Sequence, residues 1–344
     1  MKALVVDAFG AAPAVREVPG PACPPDGMVL DVRATGLCRS DWHAWAGHDP
    51  DVALPHVPGH EFAGVVRAVG PAVSRVRVGD RVTVPFVCAC GDCATCRAGA
   101  PQVCEDQYQP GFTGWGSFAE QVAVPRADLN AVPLPDGLPF ATAAGLGCRF
   151  ATAYRAVVAH ARVGAGEWLA VVGCGGVGLA ATMIAVARGA RVVAVDVAPA
   201  ARGFARRLGA EAELPAADPA ALAELTGGGP HATLDAIGSA AVLDACVTAL
   251  RPRGRHVQVG LLVEDEASPP VPMARVLARE LELYGSHGMA AADYPAMLAE
   301  IAAGRLHPEA LVTERLTLDA LAGADGALAR MGDRPPTGTA VVVF

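Results

Sequence analysis

Apolar positions along the first 149 residues come in short β-branched runs broken by turn chemistry. Met28–Val32, Ala63–Val69 and Arg81–Val84 read as strands, separated by turns such as Pro24-Pro25-Asp26-Gly27 and Val78-Gly79-Asp80. This part predicts a mostly β domain with irregular loops. From about residue 150 the period changes. Strands are predicted at Leu169–Val172, Arg191–Val195, Ala232–Ala236, His256–Val259 and Leu281–Tyr284. Helical stretches lie between them, over Val177–Val186, Pro199–Leu208 and Ala216–Leu225. Alternating strand and helix predicts a parallel sheet covered by helices on both faces. The last 55 or so residues predict one helix, Tyr294–Ala303, and a final strand, Thr339–Phe344, which needs the first domain's sheet to pair with.

The chain has 344 residues, 52% of them hydrophobic, and 18% charged, with a net charge of -8. That length suits about two domains. The acidic balance argues against a nucleic-acid protein. Lys2 is the only lysine among 27 basic residues, and alanine, glycine, proline and valine abound, which reads as codon bias rather than a functional signal. The positive mean hydropathy (+0.34) raises the question of a membrane. Trp168 to Ala187 carries no charge over 20 residues, enough to span a bilayer. Four glycines within six positions (Gly173, Gly175, Gly176, Gly178) split it into a buried strand and a buried helix instead. The N-terminus meets Asp7 before any signal-length apolar run, so a cytoplasmic protein without a membrane partner is expected.

Three features carry chemistry. Gly173-Cys174-Gly175-Gly176-Val177-Gly178 fits G-x-G-x-x-G between a predicted strand and a predicted helix, the context of a dinucleotide site. Asp196 follows Gly173 by 23 residues at the end of the next strand. A carboxylate there accepts ribose hydroxyls and repels a 2′-phosphate, favouring NAD over NADP, with Arg202 nearby as a counterweight. Cys90, Cys93, Cys96 and Cys104 form C-x2-C-x2-C-x7-C, a spacing suited to a structural zinc ion; a disulfide pair or buried thiols are the ordinary alternatives, and a cytoplasmic setting disfavours the first. Finally, Cys38–His43, Gly59-His60-Glu61 and Gly147-Cys148 concentrate metal-capable side chains, but their spacing does not assemble them into one site.

These segments, taken in order with the four-cysteine loop and the glycine turn, resemble the zinc-dependent alcohol dehydrogenases of the medium-chain dehydrogenase/reductase superfamily over essentially the whole chain. The resemblance implies an α/β protein with a GroES-like mostly-β catalytic domain, residues 1–149 and 286–344, split around a Rossmann doubly wound parallel-sheet domain, residues 150–285. It implies two zinc ions per chain, one held by Cys38, His60 and Cys148 and one by the four cysteines, with NAD as cofactor. It gives Asp41 the task of orienting His60, Glu61 a place behind the metal, Ser40 and His43 a proton relay through the nicotinamide ribose, and Arg39 the pyrophosphate. Gly173, Gly175, Gly176, Val177, Gly178, Asp196 and Arg202 then form the rest of the cofactor site.

Trp42, Trp45, Phe86 and Trp115 are expected to line the substrate pocket, and aromatic walls favour apolar or aromatic alcohols over polyols. The reaction implied is hydride transfer between such an alcohol and NAD, giving an aldehyde or ketone, or the reverse. Arg149 departs from the family pattern. A buried arginine needs a partner, so it is expected to pair with Glu61 or another buried acid, the alternatives being a bias on the zinc field or a cofactor contact. A homo-oligomer, tetramer or else dimer, is implied. The rival readings are a zinc-free enone or quinone reductase of the same superfamily, a non-enzymatic NAD-binding regulatory protein, and a protein with only the four-cysteine zinc. The ligands Cys38, His60 and Cys148 oppose the first, the intact relay residues oppose the second, and metal content separates the third.

Overall fold

The structure is a computed structural model that describes residues 1–263, 266–333 and 335–344. The chain divides into two compact units. One comprises Met1–Ala151, Gly288–Ala302 and Pro308–Phe344; the other comprises Thr152–His287 with Ala303–His307. The short segment Ala303–His307 therefore groups with the second unit, although the sequence suggested no such break in the C-terminal part.

The strands of the first unit are β1 (Lys2–Val5), β2 (Ala14–Glu17), β3 (Met28–Leu37), β4 (Glu61–Val69), β5 (Arg81–Thr83), β6 (Gln121–Val124) and β7 (Val132–Pro133). The second unit holds β8 (Trp168–Val172), β9 (Arg191–Val195), β10 (Ala212–Leu214), β11 (Ala232–Asp235), β12 (Arg255–Gln258) and β13 (Glu282–Gly285). The C-terminal part returns β14 (Val312–Leu316) and β15 (Thr339–Val343) to the first unit. There the main sheet runs β14-β15-β3-β4-β5-β7, with β6 also on β3, while β1 and β2 form a separate pair. Its faces bury alternate side chains of β3 and β4, including Met28, Leu30, Val32, Phe62 and Val66.

Two strands are longer than the sequence suggested. β3 continues past Val32 to Leu37, and β4 begins at Glu61. Their register pairs Gly36 with Glu61, which brings the chain just after β3 and the chain just before β4 to the same end of the sheet. Strand β14 was not foreseen: Thr313, Glu314 and Arg315 are all exposed, so its sequence lacks an apolar alternation, and parallel pairing with β15 makes it a strand. The alanine-rich helix starts at Pro219, later than the expected Ala216, because Asp218 caps it, its carboxylate accepting from the Ala220 and Ala221 N–H groups.

In the second unit six parallel strands run in the order β10-β9-β8-β11-β12-β13. This is the doubly wound arrangement, with the order reversing between β8 and β11. The charge-free stretch resolves into β8, the glycine turn and the helix Gly176–Ala187. Among the described residues no helix is long and apolar enough to cross a membrane.

The turn requires glycine. Gly173 takes φ +92°, and a Cβ on Gly178 would lie 1.8 Å from the Gly173 carbonyl oxygen. That contact is with backbone, which has no rotamer to escape into. Gly178→Ala is expected to cost at least about 3 kcal/mol through overpacking. At roughly 2–4 °C per kcal/mol for a unit of this size, the melting temperature should fall by about 6–12 °C. A thermal melt unchanged from the parent would contradict this packing.

Candidate active site

Helix Arg39–Ala46 starts directly after β3, and its start builds one side of the site. Cys38 is the N-cap and Asp41 the third helical residue; the Asp41 Oδ2 accepts from the Cys38 N–H at 2.8 Å, closing a capping box. The other oxygen of Asp41, Oδ1, accepts from the Gly59 N–H at 3.1 Å and lies 2.7 Å from His60 Nδ1. Asp41 is fully buried. It thus fixes the helix start and the imidazole together. Burial pushes His60 toward its neutral form, but the Asp41 carboxylate and Cys38 together more than offset this and raise the imidazole well above its ordinary pKa.

The third segment reaches the same place through a π-helical turn, Leu146–Phe150. The Phe86 N–H donates to the Gly147 carbonyl at 3.0 Å, and the buried Tyr294 hydroxyl contacts the Leu146 and Gly147 carbonyls at 3.2 Å. The result is a cluster in which the Sγ atoms of Cys38 and Cys148 and a ring nitrogen of His60 all lie within 4.8 Å of one another. His60 Nε2 is buried and has no hydrogen-bond partner. An unpaired buried nitrogen costs free energy unless something accepts or ligates it. The close approach of Cys148 holds the Cys38 thiol well below its ordinary range, while that of Cys38 raises Cys148 well above it. Two sulfurs and an imidazole are the donor set of a three-ligand zinc site.

The remaining residues of this region are placed as follows. Ser40 Oγ lies 3.9 Å from Cys38 Sγ. His43 Nδ1 lies 3.0 Å from His48 Nδ1. The Arg39 guanidinium sits 5.5 Å from the Trp42 ring centroid. Glu61 is buried and paired with Arg149, the acid that the sequence put first among that arginine's partners.

Of the four aromatics expected to line a pocket, Phe86 lies beside His60, with ring centroids 6.2 Å apart. Trp42 and Trp45 pack on the core cluster containing Leu4, Leu37 and Leu328. The Trp45 indole N–H donates to the Ala11 carbonyl at 2.7 Å, and that of Trp115 to Pro55 at 3.1 Å. Phe112, not singled out from the sequence, is nearer to His60, at 5.1 Å between centroids. Tyr294 was missed as well. Neither residue sits in a motif, so nothing local in the chain marks them.

The four-cysteine loop also fits a metal. Cys90, Cys93, Cys96 and Cys104 place their sulfurs within 4.8 Å of one another, at 3.9 Å for Cys90–Cys96 and 3.8 Å for Cys93–Cys104. Tetrahedral zinc with bonds of about 2.3 Å needs sulfur separations of about 3.8 Å. The Cys96 N–H donates to Cys93 Sγ, and this bond leads the effects that lower the Cys93 thiol to about 6.

In the second unit the glycine turn leaves β8, and Asp196 lies one residue beyond β9. The Asp196 Oδ2 accepts from the Cys174 N–H at 2.8 Å and Oδ1 from the Ala198 N–H at 2.8 Å. The Arg202 guanidinium donates to the Asp196 and Val197 carbonyls at 2.7 and 3.2 Å.

Comparison with known proteins shows the family. Residues 24–136 match the alcohol dehydrogenase GroES-like domain and residues 176–303 the zinc-binding dehydrogenase family. An alcohol dehydrogenase of Geobacillus stearothermophilus is 37% identical over 292 residues, covering 83% of this chain and 84% of the relative. Among solved structures, the alcohol dehydrogenase TADH from Thermus sp. ATN1 superposes with a TM-score of 0.89 at 32% identity, covering 100% of this chain and 99% of that one. A structure described as an NAD-dependent alcohol dehydrogenase gives 0.87 at 30% identity, with 100% of both chains covered. The chain belongs to the zinc-type alcohol dehydrogenases of the medium-chain dehydrogenase/reductase superfamily, enzymes that interconvert alcohols and aldehydes with NAD(P).

Proposed function

We propose that this enzyme oxidises apolar or aromatic primary or secondary alcohols with NAD, or runs the reverse reduction, using a zinc ion held by Cys38, His60 and Cys148. The observation that carries the reading is the buried, unpartnered Nε2 of His60 within 4.8 Å of two cysteine sulfurs. Zinc in such a three-ligand site keeps a position open for the substrate oxygen and supplies Lewis-acid polarisation of it. The protein does the rest. Asp41 holds the imidazole at Nδ1, so that Nε2 stays available. Ser40, beside Cys38, accepts the hydroxyl proton of the alcohol. His43 carries the proton onward through its imidazole. Phe86 and Phe112, flanking His60, supply apolar surface for the substrate. A second zinc in the four-cysteine loop is structural.

NAD rather than NADP follows from Asp196. Its carboxylate is fixed at the strand end by two backbone N–H groups, leaving its charge to face a 2′-phosphate. Arg202 and the turn Gly173, Gly175, Gly176, Val177 and Gly178 complete this reading of the cofactor site within the second unit. Asp196→Asn keeps an acceptor for the Cys174 N–H but removes the charge. It is expected to move the ratio of kcat/KM for NAD over NADP by about tenfold toward NADP, equivalent to about 1.4 kcal/mol. An unchanged ratio would remove Asp196 from the cofactor site.

The reaction itself is tested by NAD-linked turnover of benzyl alcohol, hexanol and sorbitol, with Cys38→Ala as control. Benzyl alcohol and hexanol should be the better substrates and the control inactive; a clear preference for sorbitol would refute the apolar pocket.

A further inference from the structure

Glu61 and Arg149 are the chain neighbours of two metal-site residues, His60 and Cys148, and they are bonded to each other in the core. Glu61 is fully buried and Arg149 is 7% exposed. Every donor that Arg149 offers in this direction goes to the one carboxylate. Its backbone N–H donates to Glu61 Oε1 at 2.7 Å, its Nε to Oε1 and Oε2 at 3.0 and 2.8 Å, and its Nη2 to Oε2. The backbone N–H is available because it lies in the π-helical turn Leu146–Phe150 that carries Cys148.

The neighbouring strand makes room for the pair. A Cβ on Gly36 would lie 2.5 Å from Glu61 Oε2 and 2.8 Å from Arg149 Nη2. Buried ion pairs are poor sources of stability compared with apolar residues of similar volume, so this arrangement calls for another reason. A carboxylate is itself a competent zinc ligand. Glu61 directly follows His60, so its carboxylate is the nearest acid in sequence to that member of the donor cluster.

We propose that Arg149 is a positioning residue that restrains the Glu61 carboxylate and so keeps the fourth position of the Cys38–His60–Cys148 metal site open to substrate. The inference rests on reading those three residues as a metal site. It is also electrostatic. Two thiolates balance a divalent cation, and Arg149 balances Glu61; removing the arginine leaves a buried carboxylate whose nearest available compensation is the metal.

The test uses the cobalt(II)-substituted enzyme, whose visible absorption reports the coordination of the metal. Imidazole serves as the probe for the open position. Arg149→Gln is expected to change the cobalt spectrum before any imidazole is added and to weaken imidazole binding about 100-fold. The double variant Arg149→Gln/Glu61→Gln should return both to within about threefold of the parent. Arg149→Lys, which keeps the charge but not the planar fork, should fall between and serves if the glutamine variant does not fold. An unchanged spectrum and affinity in metal-loaded Arg149→Gln would overturn the clamp while leaving the metal site intact. So would a double variant as impaired as the single one, since a merely structural arginine would behave that way. A parent protein that takes up metal only at the four cysteines would instead overturn the metal-site reading, and the clamp with it.

Discussion

Cys148→Ala is expected to lower the metal content by one ion per chain and to lower kcat/KM by about a thousandfold or more, while the fold stays intact. The magnitude follows from Lewis-acid stabilisation of several kcal/mol, at 1.36 kcal/mol per tenfold in rate. Two donors, Cys38 and His60, would remain, too few to hold zinc against water in a site of this kind. The backbone around position 148 does not depend on the thiol. The Gly147 carbonyl is held by the Phe86 N–H, and the Leu146 and Gly147 carbonyls by the Tyr294 hydroxyl. Loss of a half-buried sulfur should therefore leave the melting temperature close to the parent's apo form. Metal analysis and steady-state kinetics on one preparation check this. A variant that keeps both metals and stays within tenfold of parental activity would remove Cys148 from the metal site. Asp41→Asn offers a graded comparison, since partners that orient a ligand histidine typically change metal affinity by 10–100-fold.

The sequence carried the two architectures well, because each has its own period. Short β-branched runs between turns and apolar strands alternating with helices are local patterns, and the strands at β8, β9, β11 and β12 fall within a residue or two of where they read. The dinucleotide turn is local too: Gly173 and Gly178 are required by a φ of +92° and a 1.8 Å approach within one short loop. The convergence of Cys38, His60 and Cys148 is different in kind. It depends on the Gly36–Glu61 register between β3 and β4 and on a π-helical turn, neither of which has a spacing signature. Resemblance to a family supplied what spacing lacked. Strand β14 was illegible because an edge strand needs no apolar alternation, and Phe112 and Tyr294 because they reach the site from segments without motifs. Of the four aromatics expected to line a pocket, Phe86 lies beside His60. Tryptophans are conspicuous in a chain with four of them, but Trp45 and Trp115 are engaged with the Ala11 and Pro55 carbonyls, and two phenylalanines flank His60.

Cys104→Ala should give the opposite pattern of losses: the catalytic metal retained, the four-cysteine metal lost, and the loop opened. The loop from Cys90 to Cys104 has little else to hold it. Its buried cluster consists of Ala89, Cys90 and Cys104 with Cys93 and Cys96 packed alongside, so the sulfurs are themselves the core. Its regular structure amounts to the four-residue helix Ala94–Arg97 and the turn Pro101–Val103. Zinc binding free energy in small cysteine-rich units is about 10–16 kcal/mol and is in effect folding free energy, so losing the ion unfolds what it organised. The opening should stop at the loop's base. There the Cys88 N–H donates to the Tyr108 carbonyl at 2.8 Å and the Tyr108 N–H to the Cys88 carbonyl at 2.9 Å. The Asn130 side chain bonds the Ala89 N–H and carbonyl at 2.9 and 3.1 Å. Trypsin should then cut rapidly after Arg97, exposed in the opened loop, at least about tenfold faster than in the parent if cleavage follows the open population. Turnover per bound catalytic metal should change far less than in Cys148→Ala, because Cys38, His60 and Cys148 are placed by β3, β4 and the π-helical turn and not by the loop. If Cys104→Ala keeps two metals and resists trypsin like the parent, the four cysteines do not form a structural zinc site; if it instead loses the catalytic metal as well, the two sites are coupled and the loop does more than hold itself together.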